Sequence, residues 1–414
     1  PRTGEVLAMA SVPDFDPNDF IPNITSKRYA DYRDNKSAPF LNRAISNFPP
    51  ASTVKIPAAI TAARNGRHGI QCDCKGYTPY GKAKIRCWKT WGHGVLSIQE
   101  AIQRSCNPYF MKVANTVGSD KMVESYSMLG LGQPTGIRLP RESAGILPGS
   151  IDWQRRYRNK VMTPALTGML AIGQGDSEAT PLQMATLISA VANGGQLYQP
   201  RIVRKVSHDA LGIQISDRPK LKTNLIKQGL DQAQLQGIRE GMRLAAHKIG
   251  GTAGRAAPKD ILIGAKTGTA QTTDLGIKTH VAWTVAFAPY DNPRYVVVAA
   301  VKRGGSGGKV AGPLVKLILT GLFAQEDGRD LPLGKQQPYI GNTDLISEIS
   351  LPDDNPLAAA FLADGETGEE ASAIVIIHPE PEEPEESEDL PLPTMRAEID
   401  PRGSVIPRAI PIYE

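Results

Sequence analysis

The chain has 414 residues, 41% hydrophobic, 6% aromatic and 21% charged, with a formal net charge of +5. That length holds one large or two ordinary domains, and the composition excludes both a coiled coil and a wholly disordered chain. The charge is split: residues 326–414 hold 21 acidic and 5 basic side chains, leaving 42 basic and 21 acidic in residues 1–325.

A body this basic points to a polyanionic neighbour such as nucleic acid, lipid headgroups or an anionic cell-wall polymer, and charge does not choose among them. No stretch approaches the ~20 consecutive apolar residues of a spanning helix. The opening Pro1-Arg2-Thr3-Gly4-Glu5 reads as a turn, not a signal peptide, so the chain is read as part of something longer. Glu5 to Ser11 predicts a strand, whose hairpin partner is expected upstream of Pro1. Ser52 to Asn65 predicts a helix after Pro49 and Pro50, with alanines and Ile60 on its buried face. Ser97 to Val117 predicts a second helix, and Pro181 to Asn193 a third, with Thr180 as N-cap. Ile261 to Thr269, Val281 to Ala288 and Tyr295 to Val301 read as an antiparallel meander, closed by a helix from Pro313 to Phe323. Beyond Glu326, Pro379 to Pro393 carries seven acidic residues and five prolines, a composition that cannot bury enough surface to order itself. Within this expected tail (326–414), Ala371 to Ile377 is apolar enough for a short strand or docking segment.

Three short motifs follow one another. In Ser52-Thr53-Val54-Lys55, helical i,i+3 spacing brings an amine within reach of a hydroxyl, and a desolvated lysine can deprotonate a serine. By frequency, on the order of one or two such pairs arise by chance in a chain this long. In Ser105-Cys106-Asn107, residues two apart share a face where the backbone turns, so Ser105 and Asn107 can face a cleft with Cys106 behind. In Lys266-Thr267-Gly268-Thr269, a cation and two hydroxyls suit a carboxylate, and Gly268 admits a close backbone. Each motif by itself is equally a polar turn or strand end. Their conjunction, Ser-x-x-Lys then Ser-x-Asn then Lys-Thr-Gly, is the signature of serine β-lactamases and penicillin-binding proteins.

From Pro1 to about Phe323 the chain resembles the transpeptidase domain of class B penicillin-binding proteins, most closely the elongation type, penicillin-binding protein 2. Beyond the motifs, the resemblance rests on Arg2-Thr3-Gly4-Glu5, Phe15-Asp16-Pro17-Asn18, Asn42-Arg43-Ala44 and Ile172-Gly173-Gln174-Gly175. It continues through Thr180-Pro181-Leu182-Gln183-Met184-Ala185, His280, Ala282-Trp283 and Phe287-Ala288-Pro289. Ala51 departs from a usual Gly, which implies a slightly different turn, and Asn107 departs from a frequent Asp. The resemblance implies an α+β fold, an antiparallel sheet covered by helices on both faces plus a helical subdomain, in a transpeptidase domain spanning 1–325. It implies that Ser52 is acylated by the D-Ala-D-Ala end of a peptidoglycan stem peptide, with Lys55 as base, Ser105 as relay and Asn107 orienting an amide. Lys266, Thr267, Gly268 and Thr269 would bind substrate, and the N–H groups of Ser52 and Thr269 would form the oxyanion hole. β-Lactams would acylate the same serine. The implied partner is a SEDS glycosyltransferase of the RodA type, and the implied location is the periplasmic side of the inner membrane, with anchor and pedestal upstream.

Cys72, Cys74 and Cys87 crowd into sixteen residues, followed by His93. Three cysteines and a histidine make a tetrahedral zinc set, and similar residues in some elongation-type members look metal-binding. Cys74, Cys87, His93 and Cys106 are the expected ligands, with Cys72 spare. The competing reading is a disulfide from Cys72 or Cys74 to Cys87. Among other functions, a β-lactamase needs a water-activating base, for which no Glu-x-x-x-Asn follows Asn107. A D,D-carboxypeptidase would use the same residues with water as acceptor. A non-catalytic basic binding protein is the alternative of another class. Nucleic-acid binding is not expected, because finger spacing is absent and aromatics are sparse.

Overall fold

The computed structural model describes residues 1–158, 160–208, 213–274, 276–329 and 372–378. β1 (Glu5–Val12) and α1 (Ser26–Arg33) lead into a 3-10 turn, Ala51–Val54, that runs directly into α2 (Lys55–Arg64). Four short strands follow: β2 (Cys72–Cys74), β3 (Tyr77–Tyr80), β4 (Ala83–Arg86) and β5 (Gly94–Leu96), paired β2 with β5 and β3 with β4. The helical part comprises α3 (Ile98–Gln103), α4 (Asn107–Val117), α5 (Ser119–Met128), α6 (Ile151–Arg156), α7 (Pro164–Ile172) and α8 (Pro181–Ala192). After β6 (Gln196–Tyr198), β7 (Lys205–His208), β8 (Ile213–Ser216) and β9 (Leu221–Asn224) comes α9 (Gln232–His247). The last elements are β10 (Gly264–Asp274), β11 (Ile277–Ala288), β12 (Tyr295–Lys302), α10 (Ala311–Glu326) and β13 (Ser372–His378).

The main sheet is antiparallel, in the order β1-β13-β12-β11-β10, which leaves β10 at an edge. Over residues 281–288 and 295–301, β11 and β12 are buried and almost wholly apolar because both their faces are covered. Val281, Trp283, Val285 and Phe287, with Val296, Val298 and Ala300, point into a core that contains α2, α4 and α8. The alternate residues Ala282, Ala286, Tyr295, Val297, Ala299 and Val301 point into a second core with α10 and the end of α9. The fold is therefore α+β, a sheet between two helical layers. Among the described residues no helix is long and apolar enough to cross a membrane.

One element differs from its sequence reading. The segment from Ser97 to Val117 is two helices, not one. Pro108 occupies the first turn of α4, where its missing N–H costs nothing but where an incoming helix cannot continue, and the chain kinks at Ser105 with φ +52°. The described neighbour of β1 is β13, with Glu5 opposite His378 and Val12 opposite Ser372, and β1 is the other edge of the sheet. β13 also pairs with β12, Val296 opposite Ile377, so it completes the ladders of two strands. The described residues belong to one compact unit, and the stretch Pro379 to Pro393, with the rest of the chain to Glu414, lies outside the described residues.

The sheet is tied to the segment before Ser52 by Trp283, fully buried, whose indole N–H donates to the Pro49 carbonyl at 2.9 Å. Trp283→Phe leaves that carbonyl unsatisfied beside a small void. The expected cost is about 2–3 kcal/mol in chemical denaturation, and a loss below ~0.5 kcal/mol, the level of an ordinary surface substitution, would show that the tie is unimportant.

Candidate active site

Ser52 lies in the 3-10 turn and Lys55 is the first residue of α2, so the turn of the helix brings both to its N-terminal end. Ala51 holds φ +51°, the left-handed conformation that glycine takes freely. Alanine adopts this left-handed turn at a strain on the order of 1–2 kcal/mol. What imposes it is the loop after α7. Ala51 N–H donates to Gly173 O at 3.0 Å, and a Cβ on Gly173 would lie 2.1 Å from Ala51 O, so only glycine fits there.

The Lys55 amine is fully buried, and it donates to Ser105 O at 2.7 Å, Ser105 Oγ at 3.2 Å and Asn107 Oδ1 at 2.7 Å. Among the described residues no hydrogen bond joins it to the Ser52 hydroxyl, contrary to the simplest reading of the i,i+3 spacing. The kink at Ser105 is what aims both the carbonyl and the hydroxyl of that residue at Lys55. Asn107 is held from its other end, its amide N–H₂ donating to Arg86 O at 3.0 Å. Burial lowers the Lys55 amine to about 8, although the thiols of Cys106, Cys87 and Cys74 pull the other way.

β10 approaches from the opposite side. Lys266 is also fully buried and donates to Ser105 Oγ at 2.9 Å and to Thr267 O at 2.8 Å. Two amines therefore converge on one hydroxyl. Burial, and secondarily the charge of Lys55, hold Lys266 well below the usual lysine range. Gly268 lets this edge meet the 3-10 turn: a Cβ there would sit 3.0 Å from Ala51 Cβ and 3.2 Å from Ser52 N. Thr267 is buried, its hydroxyl 3.0 Å from that of Thr252, whereas Thr269 is exposed and accepts from Gly307 N–H at 3.0 Å. Hydrogen bonds thus join Lys55, Ser105, Asn107 and Lys266 where α2, the α3–α4 kink and the sheet edge meet, and Gly268 sets that edge against the turn that carries Ser52. Sequence reasoning did not find Arg86, Thr252 or Gly307, whose contributions run mostly through backbone atoms that no residue type reveals. Phe110, whose ring lies 5.9 Å from the Lys55 amine, was also missed.

Behind the kink, one ligand atom each from Cys74, Cys87, His93 and Cys106 lies within 4.8 Å of the others. His93 Nδ1 is 3.6 Å from both Cys74 Sγ and Cys87 Sγ. A tetrahedron with Zn–S ~2.3 Å and Zn–N ~2.0 Å has edges of roughly 3.5–3.8 Å, so the donor set and the two His93–cysteine separations fit zinc. All four cysteines are free thiols, and Cys72 stands outside the group. The contact with the Cys106 thiol pulls Cys87 below the ordinary thiol range and raises Cys106. Burial lowers His93, favouring the neutral ring a metal requires.

The sequence profile described as "Penicillin binding protein transpeptidase domain" matches residues 1–320. The peptidoglycan D,D-transpeptidase MrdA of Acinetobacter baumannii is 33% identical over 325 residues, 75% of this chain and 48% of that protein. Penicillin-binding protein 2 of Pseudomonas aeruginosa, solved with WCK 5153, superposes with a TM-score of 0.71 at 34% identity, covering 82% of this chain and 75% of that one. Its Helicobacter pylori counterpart, solved with MreC, gives 0.68 at 30%, covering 79% and 58%. The chain spans about half the length of the curated relatives it matches. On the strength of the profile and these relatives, the chain belongs to the penicillin-binding protein transpeptidase domain family.

Proposed function

We propose that residues 1–325 form a peptidoglycan D,D-transpeptidase domain acting in cell-wall elongation, with residues 326–414 an appended acidic segment. The observation that carries this reading is the convergence of two buried amines, Lys55 and Lys266, on the Ser105 hydroxyl beside Ser52. In the neutral form, Lys55 takes the Ser52 proton as Oγ attacks the penultimate D-alanine carbonyl of a stem peptide. The negative charge that develops on the carbonyl oxygen is received by the N–H groups of Ser52 and Thr269, each such donor being worth roughly 2.7–4 kcal/mol in comparable sites. Ser105, between the two amines, passes a proton to the leaving nitrogen; the amide bond breaks, D-alanine departs and an ester remains on Ser52. The amine of a second stem peptide attacks that ester, its proton returns to Ser52 Oγ, and a crosslink is released. Lys266, Thr267 and Thr269 hold the substrate carboxylate, Gly268 admits its backbone and Asn107 orients its amide. β-Lactams enter the same cleft as mimics of the dipeptide.

Zinc is assigned to Cys74, Cys87, His93 and Cys106, where it would supply a structural crosslink and take no part in acyl transfer. It would hold Cys106 back and so fix Ser105 and Asn107 in the cleft. Resemblance to this family supports the reading that the domain works on the periplasmic side of the inner membrane, together with a SEDS glycosyltransferase of the RodA type. The H. pylori relative solved with MreC supports a place in an elongation assembly.

Three measurements test these assignments. A fluorescent penicillin is expected to label the wild type covalently and to leave Ser52→Ala unlabelled; equal labelling of both would end the assignment. Because the neutral amine is the base, the acylation rate should rise with pH through about 8. The neutral fraction grows roughly eightfold between pH 7 and 8.5, and a rate that falls or stays flat over that range counts against Lys55. Elemental analysis should find one zinc per chain in the wild type and little in Cys106→Ser. Metal-free protein with fewer than four thiols titratable after denaturation would instead favour a disulfide.

A further inference from the structure

Between two members of the cysteine–histidine cluster, Cys87 and His93, the chain makes a short turn carrying Trp88, Lys89 and Trp91. Its ends are fixed: Cys87 N–H donates to Gly76 O at 2.8 Å and His93 N–H to Cys74 O at 3.0 Å. Gly92 N–H closes the turn onto Lys89 O at 3.1 Å. The Trp88 indole N–H donates to Arg104 O at 2.8 Å, and its ring meets His93 edge-on at 5.2 Å between centroids. The Lys89 ammonium lies 5.7 Å from the centre of the Trp91 ring. Despite these restraints, Trp88 remains 60% and Trp91 81% exposed.

Two indoles held this firmly in water contribute little to the core, and such exposed aromatics mark surfaces that receive a ligand. Their place is informative. The Trp88 indole bonds the residue preceding Ser105, and Arg86, two residues before Trp88, accepts from the Asn107 amide. The turn is therefore continuous with the wall of the cleft on the Ser105 side. A ligand reaching from the cleft onto it must offer a flat apolar face to the indoles and anionic groups to Lys89. A pyranose ring of a glycan strand meets the first requirement, through its C–H face, and the carboxylates of the attached stem peptide meet the second.

We propose that Trp88 and Trp91 form a platform for a sugar ring of the glycan strand that carries a stem peptide, a role that rests on the transpeptidase reading above. The platform gives polymeric substrate an affinity that a free peptide lacks. The full chain carrying Ser52→Ala, which binds without turnover, is titrated with a stem pentapeptide and with the same pentapeptide on its disaccharide. The disaccharide-linked form is expected to bind at least fivefold tighter, Trp91→Ala to bring that ratio close to one, and Trp91→Phe to restore most of it. The exposure of Trp91 makes its truncation harmless to the core. A ratio near one in the parent, or a ratio unchanged by Trp91→Ala, overturns the platform and leaves these indoles to a protein partner. Penicillin labelling of Ser52 decides the enzymatic reading separately, so a labelled enzyme without sugar discrimination refutes the platform only.

Discussion

Burying an amine without water is the constraint around which this domain is organised. Lys55 sits at the start of a helix whose other residues are almost entirely apolar, and an ammonium there needs acceptors to replace its hydration. All three acceptors come from the interruption between α3 and α4, through the carbonyl and hydroxyl of Ser105 and the amide of Asn107. A continuous helix from Ser97 to Val117 would have committed that carbonyl to its own ladder. The break is therefore coupled to the buried lysine, and Lys266, arriving on β10, makes the same hydroxyl the meeting point of two cations that oppose each other's charge.

The rest of the architecture places these three chain segments with little freedom. β11 and β12, apolar on both faces, form the slab on which two helical layers pack, and β10 is left at the edge with its outer side toward the Ser52 turn. Gly268 and Gly173 bring backbone against backbone on either side of Ala51, which is forced into a left-handed conformation between them. Trp283 crosses from the centre of the sheet to the carbonyl of Pro49. The turn that carries Ser52 is thus clamped by the sheet below and by the α7 loop beside it. Behind the kink, the cysteine–histidine cluster performs a similar service for Ser105 and Asn107, since Cys106 belongs to both.

Much of this was legible in the letters. The β11 and β12 strands, α8 with its Thr180 cap and the α2 helix are signalled by apolar runs, prolines and caps that act over a few residues. The four clustered side chains were also legible, because three cysteines and a histidine have few other uses in so polar a segment. The kink at Ser105 was not: a serine at positive φ has no sequence signature, and a proline two residues inside a helix marks its start only when the preceding segment is already known to stop. Nor did the helical i,i+3 rule foresee that Lys55 would turn from Ser52 toward Ser105, since spacing states which groups are neighbours but not which acceptor is stronger. The pairing of β1 with β13 joins residues at least 360 positions apart, and no local pattern encodes such a register.

By itself the sequence determined the inventory: a hydroxyl and an amine one helical turn apart, a Ser-x-Asn, a Lys-Thr-Gly strand end, and a set of soft metal ligands. The cysteines and histidine count as side chains able to bind a soft metal; all of these are properties of residue type and short-range spacing, and they persist whatever the chain does at long range. Only the tertiary structure decided that residues 55, 105, 107 and 266 share one desolvated point. Proton affinity depends on burial and on neighbouring charge, and both are created when distant segments close over the same volume and expel its water.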